Sequence, residues 1–305
     1  MSDAPVIVHG TNGNVEITIH ADGTRIIDYP GKDPSVIDLA YPLNVDLKVS
    51  SRCMFGYDPR TRKAVCDFCH ESARTDGTEC DYDHLERVLA DLPLTTEIAL
   101  GINEVTDGLV EFLTSMHAQG RIINGTFNQG LVKTGRHRRI TDKRLLKGVG
   151  ISWRRGAWGT DDPIYRHPDT VLHVIAGIDN FDEVLETVTS AGIKKVLVLG
   201  EKNFGFNHGR VDLSSPGHRA WYTRLHELFA HALVSFDNLG LEQLNVRRYF
   251  RAANWDVFHQ GERSIYLDAV KKTFAPSSRS PETTSWHHTS LKDYWQSRQA
   301  ILLAA

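Results

Sequence analysis

Four cysteines within one short stretch of the chain are the residues with the clearest chemical potential. Their order is Cys53-x12-Cys66-x2-Cys69, with ten further residues before Cys80. Clustered thiols in a chain that lacks a secretory signal indicate metal or redox chemistry rather than disulfides. Three thiolates can hold a [4Fe–4S] cluster and leave one iron open to another ligand, whereas four thiolates close the cluster. The first three cysteines therefore predict an iron–sulfur site with one open iron position.

The cysteines alone leave two other metal sites open. Cys80 or His70 could complete a tetrahedral zinc site, because zinc in structural sites is held by four Cys or His ligands. Cys80 could instead supply the fourth thiolate of a closed cluster that only carries electrons. Zinc ribbons favour two paired Cys-x2-Cys knuckles, and this chain contains one such pair, which favours the open cluster over zinc.

Alternating strands and helices must position the cysteine loop. An apolar run at 43–49 predicts a strand just before Cys53, and the apolar spacing at 83–92 predicts a helix after the loop, with Asp83 as its N-cap. The strands at 148–152 and 195–199 lack polar alternation, so we expect both of their faces to be buried. Further strands are predicted at 97–100, 121–127, 170–177 and 232–236, and the helices between them end at Gly120 and Gly192 or begin at Ser215.

These strand–helix units predict an α/β fold with parallel strands, arranged as a partial (β/α)6 barrel of the TIM type. In such a barrel the cysteine loop lies at the carboxyl-terminal face, where active sites form. Residues 1–40 form an N-terminal extension whose alternating pattern predicts a small β-meander that caps one barrel end. The barrel core spans 41–245. A C-terminal extension spans 246–305, with a helix at 291–303 that packs on the outside.

Charge and composition set limits on location and partners. The formal net charge is -3, and no segment reaches the roughly 18 consecutive apolar residues that a membrane span requires. The N-terminus has no signal-peptide pattern, so we expect a cytoplasmic protein with no membrane partner. Residues 133–155 are nevertheless basic, and Arg154 and Arg155 follow a strand at the predicted barrel mouth. These two arginines favour a nucleotide or nucleic acid as an alternative to other small-molecule substrates.

Polar residues after two other predicted strands are further candidates for the site. Asn128 follows the strand at 121–127, and Lys202 follows the strand at 195–199. Lys202 could pair with a carboxylate of a cofactor or substrate, since it lies on the predicted catalytic face. Asn128 could contact cofactor or substrate, but its polarity is equally typical of an ordinary loop.

Short motifs occur in order at the carboxyl ends of the predicted strands. An aromatic residue, Phe68, stands directly before the third cysteine, and the segment Leu-Gly-Ile-Asn-Glu-Val-Thr at 100–106 follows the second strand. Gly150-Ile-Ser152 ends the fourth strand, and His173-Val-Ile-Ala-Gly177 belongs to the fifth. With these motifs, the chain resembles the radical S-adenosylmethionine superfamily over about residues 43–240, including uncharacterised members encoded by bacteriophages. Its first cysteine gap departs from the family, because it has twelve residues where the usual gap has three.

The resemblance implies an enzyme that binds a [4Fe–4S] cluster through Cys53, Cys66 and Cys69 and cleaves S-adenosylmethionine reductively. The resulting 5′-deoxyadenosyl radical would abstract hydrogen from a substrate, and an external donor such as flavodoxin or ferredoxin would supply the electron. Glu104 would accept a hydrogen bond from the amino group of S-adenosylmethionine, and Ile175 would pack on its adenine. The expected cofactor-binding residues are Phe68, Gly101, Glu104, Ser152 and Ile175 from the resemblance, together with Asn128 and Lys202 from their positions.

Overall fold

The fold is dominated by one large, mostly parallel sheet, as the sequence predicts. The structure is a computed structural model that describes residues 4–21, 23–29, 31, 37–154, 159–249 and 262–304, with side chains to residue 302. Within these ranges the chain is an α/β protein in which helices follow most of the core strands.

Strands and helices alternate through most of the chain. The first half contains β1 (Val6–Asn12), β2 (Val15–His20), β3 (Arg25–Asp28), β4 (Asn44–Lys48), β5 (Arg52–Asp58), β6 (Lys63–Ala64), α1 (Tyr82–Leu89), β7 (Glu97–Ile102), α2 (Asp107–Ala118), β8 (Ile122–Asn128), α3 (Gln129–Lys133), α4 (Arg138–Thr141) and β9 (Gly148–Ser152). The second half contains β10 (Thr170–Ile175), α5 (Phe181–Ala191), β11 (Lys195–Leu199), α6 (Pro216–Phe229), β12 (Leu233–Phe236), α7 (Asn238–Gln243), β13 (Ser264–Asp268), β14 (Thr273–Ala275), β15 (Thr284–Ser285) and α8 (Leu291–Ala304).

The main sheet contains ten strands in the order β12-β11-β10-β9-β8-β7-β4-β13-β14-β15. All neighbours from β12 to β13 are parallel, and β14 and β15 are added in antiparallel orientation. The predicted core strands are confirmed, including the one at 232–236. The sheet is not a closed barrel, because β12 and β15 remain as edges.

The C-terminal segment differs from the predicted helical extension. Helix α8 is confirmed, but Ser264–Asp268 also inserts as strand β13 beside β4, and two more strands follow it. Ile265 and Leu267 are fully buried and belong to the main core. Strand β13 has only five residues, so its own pattern did not indicate a strand–helix unit in the sequence.

The two faces of the sheet have opposite chemistry. Val45, Ile98 and Ile123 occupy one register row and are almost completely buried in the core with residues of the helices. The opposite side, called the inner face below, carries in one row Tyr266, Asp46, Ala99, Asn124 and Gly148. The helices therefore pack on the outer face, while polar side chains line the inner face.

The prediction that the strands at 148–152 and 195–199 are buried on both faces is wrong. Ser152, Leu197 and Leu199 are only half-buried, and all three lie on the inner face. The residues of an apolar strand do not show by themselves that both of its faces are buried. An apolar side chain on the inner face can border an interior that is partly open to solvent.

Loops from distant strands meet across the inner face. The Phe206 backbone N–H donates to the Cys69 carbonyl oxygen at 3.0 Å, and Lys202 Nζ lies 3.3 Å from His70 Nε2. Strand β11, which precedes Lys202, is separated from β4 by four other strands. At about 4.8 Å per strand, a flat sheet would hold these loops more than about 20 Å apart. The sheet is therefore strongly curved, with its inner face concave.

The N-terminal meander of β1, β2 and β3 packs over the amino-terminal ends of the central strands. Arg25 forms an ion pair with Glu97 at 3.0 Å and donates to Asn44 Oδ1 at 2.8 Å. Glu97 is the first residue of β7 and Asn44 is the first residue of β4. Ile17 and Ile19 of β2 are fully buried in the main core. The meander thus occupies the position expected of a cap, at the end opposite the cysteines.

Helix ends follow the local rules with one exception. Gly192 ends α5 in the left-handed region at φ 68°, and Ser215 caps α6, as predicted. The predicted N-cap of α1, Asp83, is wrong, because Asp81 accepts the hydrogen bond from the His84 backbone N–H and Asp83 lies in the first turn. None of the described helices has the length and apolar character of a membrane span.

Candidate functional site

Three of the four cysteines come together at the carboxyl-terminal edge of the sheet. Cys53 is 9% exposed and packs with Phe55 and Ala73, and Cys66 and Cys69 pack against this small apolar group. The segment is more structured than the predicted loop, because Cys53 lies within strand β5 and β5 pairs with β6 as a hairpin. The hairpin brings together cysteines that are separated by twelve residues.

The thiols influence one another electrostatically. Burial raises the pKa of Cys53 to about 11, and the neighbouring thiols Cys66 and Cys69 add to that shift. Burial also raises the pKa of Cys66, although the Arg154 guanidinium partly opposes it. A metal centre bound here would displace these protons, because the ligand form of cysteine is the thiolate. The three thiols thus share one small, partly buried environment.

Cys80 belongs to a different environment. It packs against the main hydrophobic core, and its backbone N–H donates to the Val49 carbonyl oxygen at 2.8 Å. Burial raises the pKa of its thiol to about 12, with Glu79 as the next contribution. His70, the other candidate fourth ligand, lies 3.3 Å from Glu71 and 3.3 Å from Lys202. Cys80 therefore packs apart from the group of three thiols, while His70 is engaged by Glu71 and Lys202.

The described residues contain no group of three His, Cys, Asp or Glu side chains already arranged around the position of one metal ion. A mononuclear zinc site needs thiolates about 2.3 Å from one ion, whereas a [4Fe–4S] cluster held by three cysteines uses a separate iron for each. The identity of the bound centre therefore stays a prediction from Cys53, Cys66 and Cys69.

A cavity opens beside the cysteines. Its volume is about 630 Å³, within the range of small-molecule sites. The Arg154 guanidinium lies 5.0 Å from the centre of the Phe68 ring, and the Arg154 backbone N–H donates to Gln129 Oε1 at 3.0 Å. Arg155, predicted at the same mouth, lies outside the described residues. The cavity is lined by Phe55, Val65, Cys66, Asp67, Phe68, Trp153, Arg154, Ile178, Asp179, Asn180, Glu183, Glu201, Asn207 and Arg210.

Glu104 and Gly101 lie next to the cysteine segment and the interior. Glu104 Oε2 is buried without a hydrogen-bond partner and lies 3.7 Å from Arg52 Nη1, adjacent in the chain to Cys53. Gly101 is part of β7 and not of the turn after it, because the strand continues to Ile102. A side chain built at Gly101 would meet no atom within 4 Å. The site therefore offers an unused buried acceptor and an open patch of strand.

Three predicted residues lie at neighbouring strand ends. Ser152 is in register with Asn128 on one side and His173 on the other, all on the inner face. The Asn128 amide is already used, since Oδ1 accepts from the Leu131 backbone N–H at 3.0 Å and Nδ2 donates to a carbonyl oxygen at 3.1 Å. Ile175 ends β10 in the next row. Asn128 thus caps α3, whereas Ser152 remains a candidate for cofactor contact.

Lys202 lies among buried polar side chains that the sequence around it did not indicate. Its Nζ donates to Ser278 Oγ at 3.1 Å. Burial lowers the pKa of Lys202, while the charges of Asp237, Glu71 and Asp46 raise it. Lys48 forms an ion pair with Glu71 at 2.5 Å in the same region. Sequence reasoning missed these partners, because they come from segments up to 230 residues apart and have no common motif.

Thr106, at the end of the segment that follows β7, has a structural role. Its Oγ1 accepts from the Leu109 backbone N–H at 3.2 Å and donates to Glu79 Oε1 at 2.7 Å. We expect Thr106→Val to lower the free energy of unfolding by about 1 kcal/mol, the usual effect of losing an N-cap. Urea unfolding measures this, with Thr114→Val in the middle of α2 as control. A loss of S-adenosylmethionine affinity without loss of stability would contradict this role.

Comparison with known proteins adds no family assignment. No protein-family model matches the chain, and no curated protein matches it. Functional interpretation therefore depends on the residues and geometry described above.

Proposed function

We propose that the protein is a radical S-adenosylmethionine enzyme with a [4Fe–4S] cluster on Cys53, Cys66 and Cys69. The observation that carries the proposal is that these three cysteines pack together at the carboxyl edge of a curved parallel sheet, while Cys80 packs elsewhere. A cavity of about 630 Å³ lies directly beside them. Parallel α/β sheets bind their ligands at this edge.

When bound, the cluster would supply the electron that cleaves S-adenosylmethionine into methionine and the 5′-deoxyadenosyl radical. The protein would orient the cofactor. Glu104 Oε2, which is buried and accepts no hydrogen bond from the described residues, is suited to accept one from its ammonium group, since a buried acceptor without a hydrogen bond is costly. Phe68 and Arg154, stacked on each other, would shield the cysteines from water. Ser152 and Ile175, at the ends of adjacent strands, would border the nucleoside.

For the fold we propose the finer description of a partial (β/α)6 barrel formed by β4, β7, β8, β9, β10 and β11. Contacts between the loop after β11 and the cysteine segment support it, because they require strong curvature. The concave inner face would then enclose the substrate and keep water from the radical.

Partners follow from the same chemistry. We propose a one-electron donor such as flavodoxin or ferredoxin and a cytoplasmic location. The substrate would be a small molecule, with a nucleotide or nucleic acid as the alternative that Arg154 and the basic segment 133–155 suggest. The stacking of Arg154 on Phe68 and its interaction with Cys66 favour a role at the cysteines over capture of a phosphate.

The decisive experiment is anaerobic reconstitution with iron and sulfide, followed by reduction with dithionite in the presence of S-adenosylmethionine. We expect a brown protein and 5′-deoxyadenosine detected by chromatography. A brown protein that forms no 5′-deoxyadenosine would indicate an electron carrier. A colourless protein with bound zinc would indicate a zinc-stabilised binding module. Both alternatives need a fourth ligand, and Cys80 packs in the main core.

Glu104→Gln tests the cofactor orientation. We expect the affinity of the reconstituted protein for S-adenosylmethionine to fall about tenfold, because a neutral amide replaces a charged acceptor of the ammonium group. Equilibrium dialysis measures the affinity, and Glu111→Gln on the exposed side of α2 is the matched control. Equal affinity in the two variants would exclude Glu104 from the cofactor site.

A further inference from the structure

One carboxylate on the inner face, that of Asp46, makes no hydrogen bond with the residues that the structure describes. Asp46 lies in β4 between Tyr266 and Ala99 in register, and its neighbours Val45 and Leu47 are buried on the outer face. Among the described residues, the Asp46 carboxylate accepts no hydrogen bond and forms no ion pair. Water can reach the side chain, yet the surrounding protein raises its pKa by burial. Access to water together with surrounding protein is typical of a side chain that faces a concave, solvent-filled space.

The other carboxylates of this region are fully engaged. Glu71 pairs with Lys48 at 2.5 Å and accepts from the Tyr266 hydroxyl at 3.3 Å. Asp237 accepts from the backbone N–H groups of Gly200 and Gly240 at 2.9 and 2.6 Å. Asp268 likewise accepts from two backbone N–H groups, at 3.1 and 2.9 Å. Asp46 differs from all three, because none of its acceptor capacity is used.

The charges of this interior are also unbalanced. Among the described groups that act on Asp46, Lys48 and Lys202, together with these three, the carboxylates are Asp46, Glu71, Asp237 and Asp268, and the cations are Lys48, Lys202 and Arg279. Lys48 is shared by Glu71 and Asp268, at 2.5 and 3.7 Å. Lys202 already donates to Ser278. The charge of Lys202 acts on Asp46, but it acts on Glu71 and Asp237 as well, so negative charge remains in excess and a bound cation would be stabilised here.

The space in front of Asp46 is open toward the cysteines and closed at the other end. Gly101, on the neighbouring strand β7, has no atom within 4 Å of the position where a side chain would begin. Arg25 of the meander closes the amino-terminal end through Glu97 and Asn44. A ligand that entered from the cysteine side would reach Asp46 at its inner end.

We propose that this interior binds a substrate with a primary ammonium group, which donates hydrogen bonds to the Asp46 carboxylate. The assignment of the ligand as substrate rests on the function proposed above, but binding of the ammonium group does not. An ammonium group supplies the missing positive charge and up to three N–H donors. A neutral hydroxyl would supply a donor without the charge, and an anion would increase the imbalance.

The test uses the reconstituted full-length protein and three four-carbon probes of similar size, n-butylammonium, n-butanol and butyrate. Ligand-observed NMR titration should show saturable binding of n-butylammonium, at least about tenfold stronger than binding of the other two. Asp46→Asn should weaken n-butylammonium binding by at least about tenfold, since the amide keeps the shape and loses the charge. Asp83→Asn, at an exposed position of α1, should leave binding unchanged.

Equal binding of n-butanol and n-butylammonium, or undiminished binding to Asp46→Asn, would overturn the proposal. The comparison of probes on the unaltered protein decides the matter even where Asp46→Asn does not fold. Formation of 5′-deoxyadenosine is measured on the same samples. Selective ammonium binding without formation of 5′-deoxyadenosine would reject the proposed function and keep the ammonium site. Formation of 5′-deoxyadenosine without selective ammonium binding would reject the ammonium site and keep the proposed function.

Discussion

Replacing Cys53, Cys66 or Cys69 by alanine should each abolish the iron–sulfur centre, whereas Cys80→Ala should leave it intact. The first three thiols share one small apolar group, and Cys80 packs against the main core. Loss of one of three ligands opens a second iron to solvent, and no other cysteine is placed to replace it within the described part of the chain. We expect about four irons per chain in the unaltered protein and in Cys80→Ala, and less than about one in the other variants.

Iron and sulfide analysis after anaerobic reconstitution measures this effect, together with the visible absorption of the cluster. Cys80→Ala is a demanding control, because it removes a half-buried thiol that packs against the core and lowers stability without touching the proposed ligands. Thermal unfolding of each variant separates loss of the centre from loss of the fold. Retention of iron in Cys66→Ala, or its loss in Cys80→Ala, would contradict the assignment of the ligands.

The sequence predicts the strands of the core well, because each carries its own short-range signal. Gly148–Ser152 and Lys195–Leu199 were predicted with the bounds that the structure has, since apolar β-branched runs end at glycine or a loop. Ser215 and Gly192 were likewise confirmed as helix ends. These features depend on a few adjacent residues, which is why single-sequence reasoning finds them.

What the sequence does not predict depends on contacts between distant segments. Strand β13 joins β4 across more than two hundred residues, and only this pairing puts Tyr266 beside Asp46. Lys202 was predicted as a site residue from its position, but its partners His70 and Ser278 come from the cysteine segment and the C-terminal strands. Charge balance in the interior could not be predicted before that assembly was known.

The hydrogen bonds around the predicted site residues also could not be predicted from the sequence, and they separate Asn128 from Glu104. Asn128 has the position of a site residue, yet its amide caps α3, because an Asn at the end of a strand can also begin the following helix. Glu104 has the same kind of position, and its buried oxygen is unused. A place at the carboxyl edge of the sheet therefore does not by itself make a residue available to a ligand, because the hydrogen bonds that it already makes can use up its polar atoms.

Gly205→Ala should disturb the site more than any other glycine substitution in the loop after β11. Gly205 has φ 65°, and an added Cβ would lie 2.3 Å from the His70 carbonyl oxygen and 2.7 Å from that of Cys69. Backbone atoms cannot yield as a flexible side chain can, so the loop must move away from the cysteines. The neighbouring Phe206 N–H would then lose its bond to Cys69. We expect the free energy of unfolding to fall by more than about 2 kcal/mol.

Gly209→Ala in the same loop is the matched control. Its φ of 73° makes alanine equally strained, but no atom lies within 4 Å of the added Cβ. The left-handed conformation alone costs about 1–2 kcal/mol, so the difference between the two variants isolates the collision with the cysteine segment. Urea unfolding measures stability, and iron content after reconstitution reports on the site. We expect Gly205→Ala to lose most of its iron and Gly209→Ala to keep it. Equal iron content in both would mean that the loop after β11 does not support the three cysteines.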